Sequence, residues 1–294
     1  VIVAVASGKG GTGKTTVATG LAVAVASSKG EAGGVRRLPV HLLDCDVEEP
    51  NAHLFLNPII QDHQEVGVLT PVVDQERCSG CGRCAQVCAY HAIAVLGREV
   101  LVFNELCHGC GSCVFNCPES AIGEELRPTG AIETGTAGGI AFAQGILNVG
   151  EAMAVPVIRE LKRRLLKTTS EGLVILDAPP GTSCPVVECL RGADYALMVT
   201  EPTPFGLHDL KMAVGVARGE LGLPVGVVVN RDGVGDRGVE RYCEEERIPI
   251  LMRIPLDRRI AEASSDGVPL PSALPEYRER FLALYQALRT EMGL

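Results

Sequence analysis

The chain opens on a short apolar run, Val1–Ala6, which ends in a glycine-rich turn and is followed from Thr15 to Ser28 by small and aliphatic residues at helix-compatible spacing. Strand, loop and helix are predicted in that order. Similar apolar runs recur at Val40–Leu43, Leu173–Leu176, Tyr195–Val199 and Val225–Val229, and each stops at a polar residue: Asp44, Asp177, Thr200 and Asn230. Segments with helical spacing lie between them, among them Val155–Leu166 and Leu207–Arg218. Apolar runs alternating with helices predict an α/β fold, doubly wound around a mostly parallel sheet that is buried on both faces. In such sheets ligands bind outside the carboxyl ends of the strands, where these terminating polar residues collect.

Residues 71–123 break the rhythm. They are dense in Cys and Gly, and CSGCGRCAQVCAYHAIA from Cys78 matches CHGCGSCVFNCPESAIG from Cys107. Four cysteines and an Ala-Ile pair recur at one offset, so a tandem duplication is predicted as an inserted α+β module, 71–123, inside an α/β domain made of 1–70 and 124–294. The Gly-rich stretch 126–150 has strand-like pieces but no clear place in the alternation.

Composition narrows the function classes. Hydrophobic residues make up 46% and aromatics 4%, with no Trp, which suits an aliphatic core. The formal charge is −9 and no Lys/Arg block appears, so neither a nucleic-acid nor an anionic-membrane partner is expected. Val17–Ala26, the longest near-apolar stretch, is too short to span a bilayer, and no charged leader precedes the first strand, so a cytoplasmic protein without a membrane anchor is expected. Twelve cysteines in such a chain read as metal ligands before disulfides.

Gly8-Lys9-Gly10-Gly11-Thr12-Gly13-Lys14-Thr15 satisfies G-x-x-x-x-G-K-[ST] between a strand and a helix. The glycines let backbone N–H groups wrap a phosphate, and the helix N-terminus adds positive potential. Lys14 is expected on the β- and γ-phosphates of ATP, and the Thr15 hydroxyl on Mg²⁺, with Thr16 following in the same turn.

SGKGGTGKTT resembles the deviant Walker A loop of the MinD/ParA, Mrp and nitrogenase-iron-protein superfamily, whose mark is an extra lysine; Lys9 stands at that place. There the lysine crosses a dimer interface to the partner's ATP, so the resemblance implies a homodimer in the ATP state. LLDCDVEEPN resembles the family's switch I, which implies Asp46 as the residue that orients or deprotonates the attacking water and Asp44 close to loop and metal; either acid could instead cap a helix. LVILDAPPGTS resembles Walker B with switch II, implying Asp177 on Mg²⁺ and Gly181 beside the γ-phosphate. VVVNRDG and RIPLDRRIAEASSDGVPL resemble the adenine-side segments, with Asn230, Pro255 and Asp257 around the base.

C-x₂-C-x₂-C-x₃-C occurs twice and resembles the bacterial two-cluster ferredoxin run, where the fourth thiolate of each run crosses to the other cluster. The resemblance implies one [4Fe-4S] cluster on Cys78, Cys81, Cys84 and Cys117 and a second on Cys107, Cys110, Cys113 and Cys88; paired zinc sites are the alternative. Two such clusters would bring the charge to roughly −13. Pro118 follows Cys117, whereas Ala89 follows Cys88, so a different turn is expected around one cluster. Cys45, Cys189 and Cys243 are expected in the core, and Cys184 lies just past switch II. The whole pattern resembles iron–sulfur MinD-type ATPases: a P-loop NTPase sheet with a ferredoxin-like insertion, a slow ATPase whose dimerisation gates electron transfer or cluster delivery to a redox or apo-iron–sulfur partner. An Mrp-like cluster carrier and a MinD/ParA-like positioning ATPase are the alternatives.

Overall fold

The computed structural model describes residues 1–28, 38–168 and 171–294. Its strands, in chain order, are β1 Ile2–Ala6, β2 Val40–Asp44, β3 Ile59–Val73, β4 Ile93–Leu96, β5 Glu99–Val102, β6 Ile122–Ala137, β7 Ile140–Leu147, β8 Leu173–Asp177, β9 Tyr195–Thr200, β10 Val225–Asp232 and β11 Ile250–Pro255. The helices are α1 Lys14–Ala26, α2 Ala52–Leu56, α3 Arg83–Val87, α4 Ser112–Phe115, α5 Val155–Thr168, α6 Cys184–Leu190, α7 Pro204–Val214, α8 Gly238–Glu245, α9 Arg258–Ser265, α10 Leu270–Ala273 and α11 Glu276–Glu291.

One sheet runs in the order β11-β10-β9-β1-β8-β2-β7-β6-β3, and its neighbours from β11 to β7 pair in parallel. From β1 the chain winds to one side through β2 and to the other through β9, β10 and β11, so the loop after β1 opens at a topological switch point. Register then sets the site: Asp177 pairs with Asp44 on one side and with Val5 on the other, which brings two strand-end carboxylates beside the loop.

The chain divides into two compact units: 1–63, 132–146 and 158–294 form the first, 64–131 and 147–157 the second. In the first unit, β1, β2, β8 and β9 pack against α1, and α11 lies along α1 through Tyr277, Phe281, Leu284 and Leu288. Gly20 is required there, because a Cβ would sit 2.4 Å from Phe281 Cζ. This face of α11 is thus occupied by the core, and no described helix is long and apolar enough to cross a membrane.

The stretch 126–150, unassigned from sequence, contains the β6–β7 turn. Gly138 and Gly139 have φ of 55° and 88°, the two-residue turn whose positive dihedrals match strand twist. The boundary between the units falls inside β3 and β6, so the second unit is longer than the 71–123 insert read from the sequence. That unit holds the β4–β5 hairpin, α3 and α4, and a small core of Cys84, Ile93, Val100, Cys113 and Ile122.

Candidate functional site

The loop after β1 delivers the N-terminus of α1 into a cavity of about 520 Å³. Gly10, Gly11, Gly13, Lys14, Thr15 and Thr16 line it together with Asp46, Pro180, Asn230, Pro255 and Asp257, so segments far apart in sequence meet around one space. Two glycines are sterically fixed. A Cβ at Gly8 would lie 2.1 Å from the Asp209 carbonyl oxygen, and Gly13, at φ 94°, would drive one to 2.4 Å from Asn230 Nδ2. Asn230 Nδ2 donates to the Thr12 carbonyl at 2.7 Å, and its Oδ1 accepts from Arg231 N at 2.9 Å. This side chain therefore braces the phosphate loop from β10 while facing the cavity. Asp257 caps α9, accepting from Arg259 N at 2.8 Å and pairing with the Arg259 guanidinium at 2.7 Å. Gly181, at φ 94°, is held to the end of β1 by its N–H on the Ser7 carbonyl at 3.1 Å.

Asp44 is fully buried and accepts three backbone N–H groups, from Asp46 at 3.1 Å and from Asn51 and Ala52 at 2.9 Å. Its oxygens hold together the turn after β2 and the first residues of α2. Asp177 differs: it is 1% exposed, and neither oxygen has a hydrogen-bond partner among the described residues. An orphaned buried carboxylate is costly unless a cation completes it. Beside the Thr15 hydroxyl and Lys14 it fits a hard, oxygen-liganded divalent ion.

Burial pushes Asp44 up to about 6 against three N–H donors and Lys14; burial and the Asp44 charge push Asp46 up to about 6. Asp177 rises well above the carboxylate range, through burial first and then the Asp44 charge. A raised folded-state value means that the native state holds its proton longer than the unfolded chain. The contribution to stability is therefore complete below about pH 4 and is lost as pH climbs through about 6. For Asp44 alone, a rise from 3.8 to about 6 corresponds to about 3 kcal/mol. Urea midpoints of nucleotide-free, Mg²⁺-free protein are expected to fall between about pH 4 and pH 6. Asp177→Asn, which removes a neighbouring carboxylate, should flatten that slope; an unchanged slope would mean that Asp177 takes no part in it.

Lys9 lies outside this pocket's lining. Its Nζ pairs with Glu201 Oε2 at 3.3 Å, and Glu201 Oε1 also accepts from Arg231 Nη1 at 2.5 Å. Glu201, only 10% exposed at its side chain, follows β9 directly. Sequence reading passed over it; the signal was its position after Thr200 at a strand's carboxyl end.

In the second unit the duplication is carried into the backbone. Gly80 and Gly109, Gly82 and Gly111, and His91 and Ser120 all take positive φ at matching repeat positions. Gly80 N donates to Cys78 Sγ at 3.4 Å and Gly109 N to Cys107 Sγ at 3.5 Å. Ala92 N donates to Cys88 Sγ at 3.2 Å and Ala121 N to Cys117 Sγ at 3.3 Å. The different turn expected from Ala89 in place of proline is absent: both turns close through an N–H···O bond of 3.2 Å, because the left-handed residue at His91 or Ser120 shapes them.

Two small cavities follow. One is lined by Cys78, Cys81, Cys84 and Cys117, the other by Cys88, Cys107, Cys110 and Cys113. In each, the fourth cysteine comes from the opposite repeat. Cys84 and Cys113 are buried, while Cys81 and Cys110 are exposed. Among the described residues no three His, Cys, Asp or Glu side chains converge on a single metal ion. A four-iron cube instead gives each thiolate its own iron, and the thiol-lined cavities with N–H donors on sulfur suit it. Cys45 and Cys189 are fully buried and in contact, Cys243 is buried, and Cys184 is exposed at the start of α6.

Comparison with known proteins agrees with the first unit's geometry. Residues 3–270 match the CobQ/CobB/MinD/ParA nucleotide binding domain. Uncharacterized protein MJ0579 of Methanocaldococcus jannaschii is 32% identical over 273 residues, covering 90% of each chain. The iron-sulfur cluster carrier protein of Synechocystis sp. is 24% identical over 304 residues, covering 94% of this chain and 65% of that one. Among solved structures, the septum site-determining protein MinD of Pyrococcus horikoshii, complexed with Mg-ADP, aligns at a TM-score of 0.59 and 20% identity, covering 98% of this chain and 95% of that chain. The glycine-rich loop, the segments that carry Asp46 and Pro180, and the cavity they line all lie within the matched span, and the chain belongs to the CobQ/CobB/MinD/ParA nucleotide-binding family.

Proposed function

We propose that this chain is an ATP-hydrolysing iron–sulfur protein in which nucleotide-dependent dimerisation gates electron transfer, or cluster delivery, to a partner protein. The observation that carries the reading is the presence, in one chain, of a P-loop cavity and two four-cysteine cavities with crossed membership. Lys14 and the N-terminus of α1 hold the triphosphate, and Asp46 positions the attacking water from across the cavity. Asp177 and Thr15 hold Mg²⁺, which supplies charge neutralisation at the phosphates. The cysteines hold two [4Fe-4S] clusters, which supply one-electron storage.

Lys9 is the hinge of the dimer proposal. In the single chain its ammonium is held by Glu201, so reaching a partner's nucleotide requires exchanging that carboxylate for phosphate. Partly exposed pairs of this kind contribute only about 0–1 kcal/mol, so the exchange is accessible. Lys9→Ala is expected to weaken ATP-dependent dimerisation at least about tenfold while leaving nucleotide binding by the monomer within about twofold. Glu201→Gln should shift dimerisation to lower protein concentration. Sedimentation with and without ATP measures both, and undiminished dimerisation in Lys9→Ala would defeat the proposal.

The second reading, a cluster carrier, is supported by the Synechocystis relative's name and by the exposed thiol in each cavity, Cys81 and Cys110. EPR of the reduced, anaerobically purified protein with and without ATP separates the two. A nucleotide-dependent signal supports gating; an unchanged signal, together with transfer of iron and sulfide to an apo-acceptor, supports the carrier.

A further inference from the structure

The two cysteine cavities descend from one duplicated sequence, yet what surrounds them differs at matching positions. Ser79 in the first is His108 in the second, Arg83 is Ser112, Tyr90 of the second is Glu119 in the first, and Arg77 corresponds to Leu106. Arg83 and Glu119 line the first cavity; Tyr90, His108 and Glu124 line the second. Around the first, Arg98 Nη2 donates to the Cys78 carbonyl at 3.2 Å and Arg77 Nη2 to the Glu119 carbonyl at 3.2 Å. The repeat partner of Arg98 is Arg127, but its charge is neutralised by a two-pronged pair with Glu151. The first site is therefore lined by Arg83 and Glu119, with Arg77 and Arg98 bonded to backbone carbonyls at its edge.

No arginine lines the second site. Its lining carries the Glu124 carboxylate instead, next to Gly111. The Tyr90 and His108 rings stack at 3.7 Å and 10° in its lining, and Leu69 and Pro71 add apolar surface.

We infer that the module is electrically polarised: an electron added to it rests first at the site of Cys78, Cys81, Cys84 and Cys117, and the site of Cys88, Cys107, Cys110 and Cys113 is reduced second. Resting on the two-cluster reading above, this adds a direction to it. A reduced cluster carries one more negative charge, so nearby guanidinium groups favour reduction, whereas a carboxylate opposes it. No bond is made or broken; one electron is taken up at each site from a one-electron reductant. Arg83 is the residue whose charge most clearly separates the sites, because it lines the first cavity and its repeat partner in the second is the neutral Ser112.

The test is a potentiometric titration of the anaerobically reconstituted full chain with dithionite as reductant, followed by EPR at one fixed alkaline pH. An iron count and the EPR of the fully reduced sample come first. Absence of two cubanes there would sink the two-cluster reading itself. Given two cubanes, wild type is expected to reduce in two resolved steps. Arg83→Ser should lower the upper step by up to about tenfold in oxidised-to-reduced ratio, equivalent to about 59 mV for one electron, with the lower step almost unmoved. Arg83→Lys should restore it, and Glu124→Gln should raise the lower step. A single step for both clusters, or an Arg83→Ser effect confined to the lower step, would overturn the assignment.

Discussion

Lys14→Ala is expected to weaken ATP binding by at least about 100-fold, close to 2.7 kcal/mol. The side chain is 7% exposed at the first position of α1, inside the cavity that the loop encloses. It is also the counter-charge for Asp44, Asp46 and Asp177, each of whose titration it holds down. Its removal deletes the charge-assisted contacts to phosphate and leaves three clustered carboxylates without their cation, so the triphosphate would approach an uncompensated negative site. Calorimetric titration with ATP and Mg²⁺ measures the loss. Iron content provides the control, since the cysteine sites belong to the other compact unit and should load normally. Affinity within about twofold of wild type would mean that the cavity is not the nucleotide site.

The second large effect concerns the crossed cysteines. Cys117→Ser is expected to cut bound iron from about eight to about four per chain. The cluster lost should be that of the first repeat, although Cys117 belongs to the second. Its thiol lines the cavity with Cys78, Cys81 and Cys84, and Ala121 N is already aimed at its sulfur. The EPR signal that remains should therefore match Cys84→Ser and differ from Cys113→Ser. A residual signal matching Cys113→Ser would mean that each repeat holds its own cluster without crossing.

Much of this was legible in the residues because chemistry imposes spacing. A phosphate cradle needs glycines and a lysine at set intervals, and a cube needs closely spaced cysteines, so both patterns survive as strings. The polar residue after each apolar run was equally readable: Asp44, Asp177, Thr200 and Asn230 end β2, β8, β9 or lie near the end of β10. What resisted reading was set by distant partners. Nothing local shows that the Asp44 oxygens are taken up by backbone N–H groups while those of Asp177 are left bare. Nor does the sequence show that Glu201 is shared between Lys9 and Arg231, or that Asn230 reaches the Thr12 carbonyl.

The long strands were missed for a different reason. The first seven residues of β3 are all exposed, so no alternation marks them, and β6 carries Pro128 and three glycines, Gly123, Gly130 and Gly135, that normally interrupt a strand. At Gly135 the glycine is instead demanded by packing, since a Cβ would sit 2.2 Å from the Ile59 carbonyl oxygen. The inequality of the two cysteine sites was half visible, in Arg83 against Ser112. The aromatic stack and the neutralisation of Arg127 needed coordinates.

The central claim is that one polypeptide holds both an adenine nucleotide and two four-iron clusters. The most direct measurement takes a single anaerobically reconstituted sample and determines iron, acid-labile sulfide, zinc and ATP stoichiometry together. About eight irons, about eight sulfides, no zinc and one ATP per chain are expected. A full complement of iron with no affinity for ATP, or ATP binding by a chain that takes up zinc in place of iron, would contradict it.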